Sequence, residues 1–148
     1  MPSEETEGTG KIIVGVDGSA SSIQALGWAA RQADLTHAAL DVVMTWEWPL
    51  SYGWAMPFPS GYDPEEAVRK ALDESLRDLP TRFPNLDITA RVLRGHPAPL
   101  LVEESKHADL LVVGSRGHGE FAGMLIGSVS EHCAAHAHCP VLIHRAAA

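Results

Sequence analysis

Four small residues near the C-terminal end of the chain are spaced in a way that suits phosphate binding. Gly114 and Gly117 are followed by Gly127 and Ser128, and the set comes directly after the apolar run 110–113. Glycines let a loop turn tightly and let its backbone approach a ligand closely. A helix that begins after such a loop offers unpaired N–H groups and the positive end of its dipole. The pattern therefore predicts a nucleotide-binding domain.

The elements that must position this loop follow from hydrophobic periodicity. Short apolar runs alternate with segments of helical periodicity, which favours a parallel sheet with helices on both faces. We therefore predict an α/β fold, a single-domain, three-layer, doubly wound parallel sheet of five strands in the order β-α-β-α-β-α-β-α-β. The predicted strands are 11–17, 40–46, 87–93, 110–114 and 141–144, and the predicted helices are 19–36, 63–79, 95–107 and 128–138.

Particular residues mark the starts of two of these helices. Asp63 is predicted to cap the second helix, with Pro64 at its first position and Glu66 at its third. His96 and Pro97 are predicted to open the third helix. The buried face of the first helix is predicted to consist of Ile23, Leu26, Ala29, Ala30 and Ala33.

Two segments depart from the alternation of strands and helices. Residues 1–10 are predicted to form a flexible acidic tail, and the nucleotide-binding domain is predicted to occupy residues 11–148. Residues 47–62 are rich in proline, glycine and aromatic side chains, which predicts an irregular surface loop. Its aromatic side chains could form a flap over a nucleotide base, but packing is their commoner use and is the preferred interpretation.

Composition and charge bound the class of protein. The chain has 148 residues, of which 45% are hydrophobic and 20% charged, as in an ordinary globular domain. Its net charge of −8 provides no broad positive field for nucleic acid or anionic lipid, and no apolar stretch approaches the length of a membrane span. Two cysteines, Cys133 and Cys139, suit a reducing compartment. We expect a cytoplasmic protein that binds neither nucleic acid nor membrane.

The predicted topology also locates a ligand site. In open parallel sheets, ligands gather at the carboxyl ends of the strands, at the point where the winding reverses. The first and fourth predicted strands end at Asp17 and Gly114. We therefore expect these two ends to share a crevice.

The motif residues and their context resemble a known family. Gly114, Gly117, Gly127 and Ser128 fill the pattern G-x2-G-x9-G-[ST] of the ATP-binding branch of the universal stress protein family. The likeness extends from residue 11 to about residue 145, and it implies a Rossmann-like, adenine nucleotide alpha hydrolase-like domain that binds ATP. The segments that also match are IIVGVDGS at 12–19, LRGHP at 93–97 and GSVSEHCAAHAHCPVLI at 127–143.

For the base and ribose of a nucleotide, the resemblance implies contacts from the first two strands. Thr45 matches a position whose backbone contacts the adenine edge. Asp17, which follows Gly15 and Val16 in the first strand, would accept hydrogen bonds from ribose hydroxyls or hold a magnesium ion associated with phosphate.

For the phosphates, the resemblance implies contacts from the glycine loop and the helix after it. Gly114 and Gly117 would let the loop curl under the phosphates, and Gly127 would permit a close approach. The other implied residues are Arg116 and His118, as positive charges, and Ser128, Val129 and Ser130, through hydroxyl or N–H groups.

Several of these residues also have purely structural interpretations. Ser128 with Glu131 forms a potential helix capping box that needs no ligand. Gly114 could simply end a strand, and Asp17 before Gly18 could form an Asx-turn. The combined spacing of the four motif positions is unnecessary for turns, so it favours nucleotide binding.

The segment 132–139 contains histidines and cysteines that invite a metal site. His132 and His136 lie four residues apart on a predicted helix, and both residue types bind zinc. Cys133, however, would point about 100° away from His132 around that helix. We therefore prefer an exposed histidine face and a buried Cys133 over a metal site.

Motifs typical of efficient nucleotide chemistry are missing from the sequence. There is no G-x-x-x-x-G-K-[ST] loop, no correctly spaced G-x-G-x-x-G and no G-x-S-x-G. We therefore expect a nucleotide sensor or regulator, in which ligand binding orders the loop 115–126. A slow ATPase and a ligand-free interaction module remain as alternatives, and the sequence does not choose among ATP, ADP, AMP and cyclic AMP.

The apolar edge Val141, Leu142 and Ile143 predicts a homodimer through the last strand.

Overall fold

The computed structural model describes residues 10–47, 61–116 and 126–145. Helices lie between successive strands as predicted, but the segment between the second and third strands holds two helices where one was predicted. A one-turn 3-10 helix, Ser105–His107, follows the fourth α-helix. The strands are β1 (Lys11–Val16), β2 (Ala39–Trp46), β3 (Ile88–Arg94), β4 (Leu110–Gly114) and β5 (Val141–His144). The helices are α1 (Ala20–Thr36), α2 (Pro64–Ser75), α3 (Leu79–Arg82), α4 (Pro97–Glu104) and α5 (Ser128–His136).

The five strands form one parallel sheet in the order β3-β2-β1-β4-β5. Val14 of β1 is in register with Val42 of β2 on one side and with Val112 of β4 on the other. The chain winds outward from β1 to β3, returns to the centre and winds outward again from β4 to β5. The winding therefore reverses between β1 and β4, which confirms the predicted doubly wound fold.

Two apolar layers cover the faces of the sheet. On one face, α1 and α2 pack against the strands, and the buried side chains include Leu26 and Leu72. On the other face, Leu101 of α4 and Cys133 of α5 pack against Ile13 and its neighbours. The central strands are thus buried on both sides, as expected for a parallel sheet.

Helix α1 begins and ends with capping interactions. The Oγ of Ser19 accepts a hydrogen bond from the backbone N–H of Ser22 at 3.2 Å, and His37 ends the helix in the left-handed conformation with φ 60°. The predicted buried face holds except at Ile23, which is 38% exposed. The buried stripe starts instead with Ser21 and Ser22, whose small polar side chains lie over the ends of the strands.

Helix α2 starts as predicted but ends earlier. Asp63 Oδ1 accepts hydrogen bonds from the N–H groups of Glu65 at 3.0 Å and Glu66 at 3.4 Å. The helix stops at Ser75 rather than continuing to Leu79. The chain then tightens into turns, in which Arg77 N–H donates to Glu74 O at 3.3 Å and Leu79 N–H donates to Leu76 O at 3.1 Å. It resumes as α3, which has Pro80 in its first turn, where an N–H would have no partner within the helix. Helix α5 likewise stops at His136, two residues before the predicted end, because Ala137 is extended.

An ionic cluster around the buried Asp41 ties the sheet to α4. Arg91 of β3 donates to Asp41 of β2 from Nε to Oδ1 at 3.2 Å and from Nη2 to Oδ2 at 2.7 Å. Its Nη2 also donates to Oε1 of Glu104, in α4, at 2.6 Å. Lys11 of β1 adds a longer contact, with Nζ 3.5 Å from Asp41 Oδ2. The cluster therefore joins three strands and a helix.

Some predictions fall on parts of the chain outside the described residues. These parts include nearly all of the acidic tail 1–10 and of the aromatic loop 47–62. Within residues 10–47, 61–116 and 126–145, no helix is long and apolar enough to cross a membrane.

Candidate functional site

A crevice opens at the carboxyl ends of the central strands, where the winding of the sheet reverses. It lies between the end of β1, the end of β4 and the starts of α4 and α5. Its empty volume is about 540 Å³, counting the part open to solvent. The residues that line it are Gly15, Val16, Asp17, Ser22, Val43, Thr45, Pro97, Leu101, Val113, Gly114, Arg116, Val129 and Ser130.

Most of the residues singled out in the sequence meet in this crevice. Gly127 and Ser128 begin α5 beside it without lining it, and Gly117 and His118 lie outside the described residues. The lining residues that had been predicted are Gly15, Val16, Asp17, Thr45, Gly114, Arg116, Val129 and Ser130. Those that sequence reasoning missed are Ser22, Val43, Pro97, Leu101 and Val113.

The start of α5 presents main-chain donors to the crevice. Gly127 is the N-cap residue, and its own N–H donates to Ser115 O at 2.6 Å. The hydrogen-bond ladder within the helix starts when Glu131 N–H donates to Gly127 O at 2.9 Å. The N–H groups of Val129 and Ser130 therefore precede that ladder, at the positive end of the helix dipole.

The capping-box interpretation of Ser128 is wrong. A capping box requires the serine at the N-cap, but Gly127 takes that position and Ser128 is the first helical residue. No side-chain hydrogen bond caps α5. Glycine adopts the extended N-cap conformation readily and leaves the helix start uncovered by a side chain.

The hydroxyl group of Ser130 was expected to be able to contact a ligand, but it bonds to the protein itself. It is 3% exposed, and its Oγ donates to the carbonyl oxygen of Gly114 at 2.6 Å. This bond ties the start of α5 to the end of β4. The hydroxyl proton is thereby engaged within the protein, so the group that Ser130 can donate to a ligand is its backbone N–H.

Packing requires a glycine at position 114, whether or not a ligand is bound. A Cβ at this position would lie 2.6 Å from Ser21 Oγ and 3.0 Å from both the backbone carbon and the carbonyl oxygen of Ser21. The same Ser21 Oγ accepts a hydrogen bond from Arg116 N–H at 3.4 Å. The end of β4 and the first turn of α1 are thus in backbone contact at the floor of the crevice.

Asp17 lies exposed at the mouth of the crevice and forms the Asx-turn that the sequence allowed. Its Oδ1 accepts a hydrogen bond from Ser19 N–H at 2.9 Å. Its own N–H donates to Ser22 Oγ at 3.2 Å, and Gly18 between them has φ 85°. The turn holds the carboxylate at the end of β1, next to the end of β4.

An apolar wall faces these polar groups. Val43 and Val113 come from the sheet, and Leu101 comes from α4. Helix α4 approaches the sheet closely because Gly15 has no side chain, and a Cβ there would lie 2.8 Å from Leu101 Cδ1. Thr45 lies near the end of β2 on the same side. The crevice therefore combines an apolar slot with a row of main-chain donors.

The start of α4 closes one edge of this slot. As predicted, the helix begins after His96, with Pro97 at its first position. His96 Nδ1 lies 3.1 Å from Glu47 Oε2, so the helix start is linked to the residue that follows β2. Both side chains are exposed.

The cysteines are poor candidates for chemistry at neutral pH. Cys133 is fully buried as predicted, and burial raises the pKa of its thiol to about 11. Burial, and then the negative charge of Asp109, raise the pKa of the Cys139 thiol as well. In the part of the chain that the structure describes, no three His, Cys, Asp or Glu residues form a potential metal cluster.

Comparison with known proteins gives one family. The model of the universal stress protein family matches residues 8–145. A universal stress protein of Mycobacterium tuberculosis is 39% identical over 140 residues, which are 90% of this chain and 44% of that protein. The chain therefore spans less than half the length of this relative.

Solved structures agree with that assignment. A universal stress protein in complex with cAMP has a TM-score of 0.69 and 30% identity, covering 94% of this chain and 98% of the other. Universal stress protein UspA from Lactobacillus plantarum has a TM-score of 0.74, covering 95% of this chain and 99% of the other, and its 20% identity speaks for the fold alone. Because the family model covers nearly all of the sequence, the chain belongs to the universal stress protein family.

Proposed function

We propose that this chain binds an adenine nucleotide, with ATP as the first candidate, and acts as a nucleotide-dependent sensor or regulator. The observation that carries the proposal is the crevice at the point where the winding of the sheet reverses. Polar groups from β1, β2, β4 and α5 meet there beside an apolar slot. Ligands of doubly wound sheets bind at this position.

The apolar slot is the proposed site of the adenine base. Val43, Leu101 and Val113 offer flat contact and exclude water, and the backbone of Thr45 is available at the edge for hydrogen bonding. The solved relative with 30% identity is in complex with cAMP, which supports an adenine nucleotide as the ligand class.

The N-terminus of α5 is the proposed site of the phosphates. The protein has a net charge of −8, so an anion has to be held by local donors rather than by the overall field. The N–H groups of Val129 and Ser130 and the side chain of Arg116 are such donors. Gly117, His118, Gly127 and Ser128 complete the proposed phosphate contacts.

Asp17 fits a magnesium ion that accompanies the phosphates. Magnesium prefers oxygen ligands and is commonly bound through one or two carboxylates together with phosphate oxygens. The Asx-turn holds the Asp17 carboxylate at the crevice. When bound, the ion would neutralise part of the phosphate charge next to this acidic side chain.

We propose sensing rather than turnover, in a cytoplasmic protein. The two free cysteines suit a reducing compartment. A ligand that binds only the folded state stabilises it by about 2.7 kcal/mol at a hundredfold excess over its Kd. A change in nucleotide concentration would thus change the stability of the crevice and of the adjoining loop 115–126. This surface is one that a partner protein can bind.

The ligand itself provides the first test. Protein purified without added nucleotide is heated, and the released small molecules are identified by mass spectrometry. Adenine nucleotide is expected, and titration calorimetry with ATP, ADP, AMP and cyclic AMP then ranks the affinities. No released nucleotide together with no binding heat would favour the interaction module. Phosphate release over many turnovers that Asp17→Ala abolishes would favour the ATPase.

Replacing Arg116 with glutamine separates phosphate recognition from base recognition. We expect the affinity for ATP to fall by about 10- to 100-fold, as when a charge-assisted hydrogen bond is lost, while the affinity for adenosine stays unchanged. Arg31→Gln, an exposed site on α1 away from the crevice, is the matched control. Equal losses for ATP and adenosine would argue against a phosphate contact by Arg116.

We also propose a homodimer through the free edge of β5. Leu111 N–H donates to Pro140 O at 2.9 Å and Ser115 N–H donates to His144 O at 2.8 Å. Because main-chain groups alternate along a strand, those of Val141 and Ile143 point away from β4. Within the described residues, no other strand pairs with this edge. An apolar, unpaired edge of this kind favours pairing with a second copy.

Ile143→Pro tests the dimer directly. It removes an outward N–H but no hydrogen bond to β4, so it should yield a monomer at micromolar concentration by sedimentation velocity, where the unaltered chain is a dimer. Ile143→Thr, which loses apolar contact but keeps the N–H, should remain dimeric. A monomeric unaltered chain would contradict the proposal.

A further inference from the structure

Two histidines meet on the exposed side of α5. The ring centroids of His132 and His136 are 4.5 Å apart, and the rings are tilted by 44°. Both side chains are exposed, whereas Cys133, about 100° around the helix from His132, is buried. Residues four apart on a helix lie one above the other, which brings the two imidazoles together.

This separation matches the needs of one metal ion. Metal–nitrogen bonds to imidazole are about 2.0–2.1 Å long. Two imidazoles at neighbouring positions of one ion therefore have ring centroids about 4.5–5 Å apart, a range that includes the separation of His132 and His136. Because both rings are exposed, an aqueous ion can reach them without displacing any packed side chain.

We propose that His132 and His136 form a surface site for a divalent late transition metal, bound most tightly as Cu²⁺ and more weakly as Ni²⁺ or Zn²⁺. Imidazole suits all three ions, and their affinities follow this general order. The described residues contain no third candidate ligand within a metal cluster, so water completes the coordination.

The local charge favours a cation. Helix α5 contains no lysine or arginine, Glu131 adjoins His132, and the whole chain carries a net charge of −8. A bound metal would link the middle of this nine-residue helix to its last residue. Metal binding is therefore expected to raise the melting temperature of the protein.

Copper titration of the full chain, produced without a histidine tag, tests the site. In a non-coordinating buffer, one Cu²⁺ per chain is expected to bind with two nitrogen ligands visible by electron paramagnetic resonance. His132→Gln and His136→Gln should each weaken binding by about tenfold or more, because the second imidazole acts at a high effective concentration once the first is bound. Each variant should show one nitrogen ligand fewer.

His107→Gln is the matched control, since it removes an exposed imidazole from the 3-10 helix after α4. It should leave affinity and spectrum unchanged, and circular dichroism should show that all three variants are folded. The proposal is overturned if His132→Gln and His136→Gln bind copper like the unaltered chain. It is also overturned if His107→Gln causes the same loss as they do.

Discussion

Gly114→Ala is expected to lower the free energy of unfolding by about 2–3 kcal/mol, at the upper end of the usual cost of overpacking. The added Cβ would lie 3.0 Å from the backbone carbon and carbonyl oxygen of Ser21, and 2.6 Å from its Oγ. A backbone cannot turn away as the end of a flexible side chain can. Helix α1 would therefore have to shift away from β4.

The same shift should impair the proposed nucleotide site. Ser21 Oγ accepts the N–H of Arg116, and Gly114 O accepts the hydroxyl of Ser130. Displacing the first turn of α1 therefore disturbs both sides of the crevice. Urea unfolding measures the stability, and calorimetry with ATP measures binding in whatever fraction stays folded.

Gly27→Ala is the matched control for this substitution. Gly27 lies inside α1, and a Cβ there would meet nothing within 4 Å. Alanine is the better helix former, so this variant should be more stable by about 0.5–1 kcal/mol. If Gly114→Ala were as stable as Gly27→Ala, the backbone contact between β4 and α1 would not be as close as described.

Gly114 also illustrates what the sequence could and could not reveal. Its place at the end of the fourth predicted strand, together with that of Asp17 at the end of the first, was enough to predict the position of the crevice once the alternation of strands and helices had given the fold. Its contact with Ser21 is not local, because the two residues lie 93 positions apart in the chain. Spacing within a motif carries no information about such a partner, so the glycine was interpreted as a ligand contact or as a strand end, and not through its packing against α1.

Periodicity identified the helices better than their exact faces and ends. The face of α1 was predicted from apolar residues, so it included the exposed Ile23 and omitted the buried Ser22. Small polar side chains can be buried where the backbone supplies hydrogen bonds, as Ser19 does for Ser22. The early end of α2 had no local signal in Pro80, which lies in the first turn of α3.

The candidate site also contains residues that the sequence could predict and residues that it could not. Its polar residues follow strands or open a helix, so their meeting at one edge of the sheet could be foreseen from the topology. The apolar wall could not, because Leu101 and Val43 carry no mark that distinguishes them from core residues. The end of the Leu101 side chain occupies the space that a Cβ at Gly15 would need, a pairing of residues 86 positions apart.

Arg91→Met is expected to lower the free energy of unfolding by about 3 kcal/mol at neutral pH, because it leaves a buried carboxylate without its main partner. Asp41 is 4% exposed, and Arg91 binds both of its oxygens. The hydrogen bond to Asp41, and a further one to Glu104, raise the pKa of Arg91 above its ordinary value. The guanidinium therefore stays charged wherever the protein is folded.

Arg77→Met provides the comparison for urea unfolding. Arg77 Nη2 lies 3.2 Å from Glu74 Oε2, but the side chains are 72% and 71% exposed. Solvent screens such a pair, so its loss should not measurably shift the unfolding midpoint. A similar small effect for Arg91→Met would show that water or Lys11 satisfies Asp41 without the guanidinium.

The loss of stability in Arg91→Met has two contributions, the lost attraction of the ion pair and the cost of leaving the Asp41 carboxylate unpaired. The double variant Asp41→Leu with Arg91→Met separates them. Replacing a buried ion pair by apolar side chains of similar size is often close to neutral, whereas breaking the pair is costly. We therefore expect the double variant to recover most of the stability that Arg91→Met loses, as measured by urea unfolding. Incomplete recovery would assign the remainder to Glu104 and Lys11, which also bind this pair. A double variant less stable than Arg91→Met would instead mean that the ion pair itself, rather than the relief of an unpaired charge, stabilises the junction of β2, β3 and α4.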